Sequence, residues 1–291
     1  MTAFNADAIG QITESSEFEL EAQAGIDYAR ATNDPIHAHL TGEIIPPIYS
    51  VVPVWEKVFE VVSNVVPEEH FFSVVHGEQD MIFHSVMKPG MILSSTAVGE
   101  SISVKDSGTT LIVKSLSTDA ATGELITEQY FTMFFRGVNG ETSIGEIHSN
   151  GLDKDYYEEK LASSKASDVI GHVTAHMDAD QTVRYAQASG DFMPIHLDDE
   201  FAKSVGLPGI IIHGLCSMAH ASWAAIETLG HGDTSKLVRM ALRFSKPLLP
   251  GDDLTTRFIS DPQDETRYLF QSVRASDETP ILTNAFAQVR G

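Results

Sequence analysis

At 291 residues, 42% hydrophobic and 21% charged, the chain carries enough apolar material for a substantial core, and two domains of ordinary size suit its length better than one. Its 41 acidic residues outweigh 19 basic ones, and the net charge of -22 repels nucleic acid and anionic membrane surfaces, so neither is an expected partner. The single cysteine, Cys216, excludes an internal disulfide and argues against a Cys-based metal site; with no basic leader and no run of about 20 apolar residues, the expected location is the cytoplasm.

Each half of the chain reads as a short strand, a short helix, a loop, a long apolar helix and then three or four strands. In the first half, Tyr28-Ala-Arg-Ala-Thr-Asn-Asp34-Pro35-Ile-His37 closes the short helix. An apolar helix follows from about Pro47 to Val65, with Tyr49, Val51, Val54, Val58, Val61 and Val62 as its core face. Residues 138 to 167 contain Gly140, Gly151 and the charged run Asp153 to Lys160 without apolar periodicity, which predicts a linker. Beyond it, Asp178 or Asp180 caps a helix running to about Ser189 that Gly190 ends.

Next come Ser189-Gly-Asp191-Phe-Met-Pro194-Ile-His196 and Pro208-Gly-Ile-Ile-Ile-His213-Gly214, and then Leu215, Met218, Ala219, Ser222, Trp223, Ile226 and Leu229 at the spacing of one buried helical face. Strands are expected over 238–244, 253–259, 266–274 and 281–289, separated by Pro-Gly, Asp-Pro and Ser-Asp-Glu turns. Hairpin spacing implies an antiparallel sheet, and one long helix per sheet makes an α+β unit with the helix on the concave face.

The two halves repeat. Tyr28 to His37 matches Tyr185 to His196 with two residues missing before the proline, Val86-Met-Lys-Pro89-Gly90 echoes Ser245-Lys-Pro247-Leu-Leu-Pro250-Gly251, and Phe131 to Gly137 echoes Phe286 to Gly291. A two-fold repeat of this length signals duplication of one compact domain, 1–150 and 151–291.

Asp191 and His196 lie five residues apart across a Gly-Asp turn and Pro194, so a bend can bring acid and base to one point; an ordinary turn is the competing reading. The Gly214 helix start offers backbone N–H groups without intrahelical partners to a developing negative charge. His213 reads as structural. Ser222 is either a core serine bonded to the preceding turn or a substrate contact. Cys216 is either a thiol activated at a helix start or a small packing residue, and its apolar surroundings favour packing. Arg243 and Lys246 are the candidate phosphate contacts, with a solvated strand edge as the alternative. His37, His39, His76 and His84 lack carboxylates at ligand spacing, so no metal is assigned.

These motifs make the second half resemble the MaoC-like, R-specific enoyl-CoA hydratase family, whose pattern is Asp-x-Asn-Pro-x-His followed by a Pro-x-x-His-Gly turn and a buried helix. The repeat extends the resemblance to members with two tandem hotdog domains, a double hotdog. It implies Asp191 and His196 as the catalytic pair, Gly214 as the oxyanion-hole amide and Ser222 near the site, with an acyl-CoA substrate, no cofactor and a homodimer. The first half would be a degenerate domain that accommodates the acyl chain, because Asp34-Pro-Ile-His37 has lost the spacing. Where the family has Asn, this chain has Met193, which removes a side-chain hydrogen-bonding group beside Asp191. A hotdog thioesterase and a non-catalytic acyl-thioester-binding subunit are the rival readings.

Overall fold

A computed structural model describes residues 4–290, apart from the side chain of Phe72. Residues 1–3 and 291, the outer ends of the two domains expected from sequence, lie outside the described residues. In chain order the elements are β1 (Ser16–Glu19), α1 (Ala22–Ala31), α2 (His37–Leu40), α3 (Val51–Val65), β2 (Val74–Phe83), β3 (Ile92–Lys105), β4 (Gly108–Asp119) and β5 (Leu125–Arg136). They continue as α4 (Lys154–Ser163), β6 (Val169–His176), α5 (Gln181–Ser189), α6 (Asp199–Ser204), α7 (Gly214–Thr228), β7 (Leu237–Phe244), β8 (Asp253–Ser260), β9 (Arg267–Arg274) and β10 (Thr279–Val289).

Contacts divide the chain into two compact units. Among the described residues the first comprises 4–19, 53–85 and 91–151, and the second 20–52, 86–90 and 152–290. The last crossing between them lies at Gly151 and Leu152, and 20–52 and 86–90 cluster with the second unit.

The first unit orders its strands β1-β3-β4-β5-β2, and the second β6-β8-β9-β10-β7, antiparallel throughout. The two orders are the same topology, as duplication requires. In the first unit, Val54, Val58, Val61 and Val62 of α3 are buried. Gly99 of β3 leaves the room that Val61 and Val65 fill, since a Cβ there would stand 3.3 Å from Val61. In the second unit, α7 packs on β6, β7, β8 and β10 with Leu215 to Ile226 all buried, which is the expected helix on a concave sheet.

The repeat persists in individual hydrogen bonds. Gly90 donates to the Leu20 carbonyl as Gly251 donates to Met177, and Ile45 donates to Met87 as Ile212 donates to Leu248. Gly90 and Gly251 both sit at positive φ (85° and 89°), the left-handed conformation that a Pro-Gly turn reserves for glycine.

Two local expectations are corrected. The charged run at 153–160 is not an unstructured linker: Asp153 caps α4 by accepting from the Tyr156 N–H, and the Tyr157 hydroxyl donates to the Phe270 carbonyl. Tyr157 and Leu152 join a core with Ala241, Ile259, Leu269 and Phe286, so anchoring to the sheet supplies what periodicity does not. Neither aspartate caps α5 with its side chain. Asp180 occupies the cap position without a side-chain capping bond, Asp178 pairs with Arg184 and Asn33, and the Gln181 side-chain Oε1 accepts the Asp178 N–H instead. Gly190 does end α5, at φ 78°.

Candidate active site

The site begins at the end of α5. Asp191 folds its Oδ1 back to accept the main-chain N–H of Met193 at 3.1 Å, an Asx turn that feeds the short 3₁₀ turn Pro194–His196. The donor is the main chain of Met193, the position at which the resembled pattern has Asn. His196 is 7% exposed and donates Nδ1–H to the Ile211 carbonyl at 2.8 Å. That bond fixes its tautomer, leaving Nε2 as the lone-pair nitrogen. Nε2 makes no hydrogen bond among the described residues. Burial lowers the His196 pKa, and the Asp191 carboxylate opposes the shift.

His213 occupies the cap position of α7 but does not cap it; its Nε2 lies 3.1 Å from the Asp191 carbonyl oxygen. Its ring stacks on His196 at 3.7 Å and 23°. The helix start is thereby held against Asp191 and His196. Burial, helped by neighbouring His196, pushes the His213 pKa down to about 3. Ligand atoms of Asp191, His196 and His213 lie within 4.8 Å of one another. Stacked imidazoles direct their lone pairs along nearly parallel planes, so a single ion cannot sit in the plane of both rings, and the trio does not fit a chelate.

Gly214 opens α7, where the first N–H groups have no intrahelical acceptor. A Cβ there would press on the Phe244 ring at 3.0 Å, closer than side chains ordinarily approach. Ser222 is 2% exposed and its hydroxyl has no partner among the described residues, so it is not the backbone-bonded core serine. Cys216 is buried and its pKa is pushed up to about 12 by burial, which removes the reading as an activated thiol. Arg243 and Lys246 are exposed. Because Phe244 turns towards α7, strand alternation puts Arg243 on the opposite face of β7, away from the acid/base pair.

The first-half motif corrects the alignment of the repeat. Asp34 bonds His39, not His37: Oδ2 lies 2.7 Å from His39 Nδ1, and His39 Nε2 lies 2.8 Å from Thr234 Oγ1. Asp34 and His39 keep the five-residue spacing of Asp191 and His196, so nothing has been deleted. Asp34 Oδ1 accepts the Ile36 N–H at 2.8 Å, reproducing the Asx turn. All three side chains are buried, His39 completely. Equivalent tyrosines from the two motifs meet, with Tyr28 and Tyr185 hydroxyls 3.2 Å apart. The Tyr185 ring in turn lies 4.7 Å from that of His213. Counting a constant interval from Tyr28/Tyr185 through Asp34/Asp191 would have found His39; aligning on the prolines hid it.

The fold is that of a double-hotdog protein, with Asp191 and His196 gathered at the start of a buried helix. Residues 162–275 match the MaoC like domain and residues 39–137 match the MFE-2 hydratase 2 N-terminal domain. The chain thus carries a MaoC-like dehydratase domain and an MFE-2 hydratase 2 N-terminal domain. It is 27% identical over 83% of its length to probable enoyl-CoA hydratase 2 of Dictyostelium discoideum, covering 79% of that protein. It is 28% identical to 3-hydroxyacyl-thioester dehydratase Y of Mycobacterium tuberculosis, over 87% of each chain. Among solved structures, a MaoC-like dehydratase from Phytophthora capsici superposes with a TM-score of 0.81 at 21% identity, covering 98% of this chain and 99% of that one. No helix among the described residues is long and apolar enough to cross a membrane.

Proposed function

We propose that this hydratase/dehydratase adds water across the C2–C3 double bond of trans-2-enoyl-CoA to give (R)-3-hydroxyacyl-CoA, or runs the reverse dehydration, with Asp191 and His196 as its acid/base pair. The observation that carries the reading is the allocation of the His196 nitrogens: Nδ1 is committed to Ile211 and Nε2 is left without a hydrogen bond among the described residues, while a ring nitrogen of His196 and a carboxylate oxygen of Asp191 lie within 4.8 Å of each other. One water sits between the Asp191 carboxylate and His196 Nε2. A proton leaves it for the pair as its oxygen bonds to C3, and a proton from the pair reaches C2, so both parts of the water end in the product. Positioned groups of this kind contribute on the order of 10² to 10⁴ in rate.

As C2 gains electron density the thioester oxygen becomes enolate-like, and the Gly214 N–H donates to it, a contact worth roughly 3 kcal/mol in comparable sites. Ser222 offers its unpartnered hydroxyl to the acyl-thioester. The reaction as written needs no metal or cofactor. Arg243 and Lys246 are proposed to meet the CoA phosphates, the first half of the chain to accommodate the acyl chain, and the protein to work as a cytoplasmic homodimer. Charge reversal at Lys246, a screen of acyl lengths, fractionation and mass measurement test these in turn.

Hydration of crotonyl-CoA by Asp191→Asn and His196→Ala is the primary experiment. Near wild-type turnover in either folded variant overturns the assignment. Coupling the product to an (R)- or (S)-specific dehydrogenase reads the stereochemistry. Release of free CoA without hydration would make the protein a thioesterase instead.

A further inference from the structure

His213 holds a position at which a helix-capping side chain is expected, yet it caps nothing. Both of its strong contacts run to the acid/base pair: Nε2 to the Asp191 carbonyl at 3.1 Å and the ring face to His196 at 3.7 Å. A carbonyl accepts, so Nε2 carries the proton. Nδ1 is buried with no partner among the described residues, and a second proton there would place an unpaired charge in the interior. The ring is therefore a neutral, singly protonated plate wedged between His196 and Tyr185, whose centroid is 4.7 Å away on α5. The titratable groups facing it are Asp191 and His196 from the motif turn and Tyr185 from α5.

From this geometry we infer that His213 is a positioning residue for the hydratase site: it locks the Asp191 main chain and the His196 ring together and keeps His196 Nε2 directed at the reacting water. The inference rests on the proposed reading of Asp191 and His196. The imidazole of His196 has one hydrogen bond, and a ring held at one nitrogen can still rotate about that bond. The stacked His213 plate removes this freedom and covers one ring face against water. Its bond to the Asp191 carbonyl ties the carboxylate-bearing turn to the first residue before the helix, so acid, base and Gly214 amide move as one body.

Two variants separate the two contacts. His213→Phe keeps a ring against His196 and loses the bond to Asp191; His213→Gln keeps a donor near the Nε2 position and loses the plate. Crotonyl-CoA hydration is measured for both against pH, with thermal melts to establish folding. Each variant is expected to lower kcat by on the order of 10- to 100-fold, the scale of a small misplacement of reacting groups, with KM within about threefold of wild type. In His213→Gln the acid limb of kcat/KM moves to higher pH, because water reaching His196 relieves the burial that holds its pKa down; in His213→Phe the limb stays near wild type. A purely structural role would lower the melting temperature and leave that limb in place.

Both variants folded, with kcat within twofold and an unshifted limb, overturn the inference. Asp191→Asn, run alongside, separates this from failure of the site itself: an inactive Asp191→Asn with unaffected His213 variants sinks only the positioning role, whereas an active one removes the site on which that role depends. Should neither His213 variant fold, ¹⁵N-histidine spectra of the wild-type protein decide. His213 is expected to remain the neutral Nε2–H tautomer from pH 5 to 8, and titration in that interval overturns the inference.

Discussion

The segments Tyr28–Leu40 and Tyr185–Leu197 are two copies of one motif with one backbone and two outcomes. In both, an aspartate accepts the N–H two residues on, and the histidine N–H reaches back to the carbonyl three residues before it. The copies part company at the imidazole. His39 gives Nδ1 to Asp34 and Nε2 to Thr234, inside a fully buried network. His196 gives Nδ1 to a main-chain carbonyl and keeps Nε2. The same acid and base at the same spacing thus make a structural clamp in one copy and a candidate site in the other. The choice rests on which acceptors the surrounding fold supplies.

The largest expected effects contrast one residue from each copy, Asp191 and His39. Asp191→Asn should lower enoyl-CoA hydration on the order of 10² to 10⁴-fold with little change in melting temperature. His39→Ala should do the reverse, costing about 2 to 4 kcal/mol by opening a cavity and stranding Asp34 and Thr234, while turnover per folded molecule stays within about threefold. Denaturant titrations and steady-state rates on the same preparations check both, and a His39→Ala protein that is stable but inactive would break the distinction.

Acid stability should follow the buried histidines of the second copy. His213 titrates near 3 when folded and His220 near 4, each lowered chiefly by burial from an ordinary value of 6.5. Below pH 6.5 the unfolded chain binds protons that the folded chain refuses, so stability is complete above that pH and falls as pH drops through 6.5 towards 4. Each such histidine contributes a slope approaching about 1.4 kcal/mol per pH unit. Unfolding free energies at pH 7.5 and 5 should show a smaller difference in His213→Gln than in wild type.

The smallest effect is expected at Met193. Because its main chain already supports Asp191, Met193→Asn should change kcat by no more than about threefold. A large gain would mean that the Asx turn holds the carboxylate less well than the family's side chain does.

Much of this was legible along the chain. Hydrophobic period two and turn chemistry located β7 to β10 within about two residues, and the three-and-four spacing from Leu215 located α7. Gly190 and the Pro-Gly turns announced their positive φ angles because only glycine takes them without strain. The charged helix α4 was hidden, since what holds it is Tyr157 reaching Phe270 and not its own pattern.

By itself the sequence determined the duplication, the α+β units, the Asp191/His196 pair and the Gly214 helix start, all of which depend on residues near one another in the chain. Tertiary structure alone decided how the histidines are used. His196 is set by a carbonyl 15 residues away, His39 by a hydroxyl 195 residues away, and the pairing of α1 with α5 draws 20–52 into the second unit. An imidazole can give a proton from either nitrogen, and only the acceptors that packing brings to its two edges fix which nitrogen remains to act as a base.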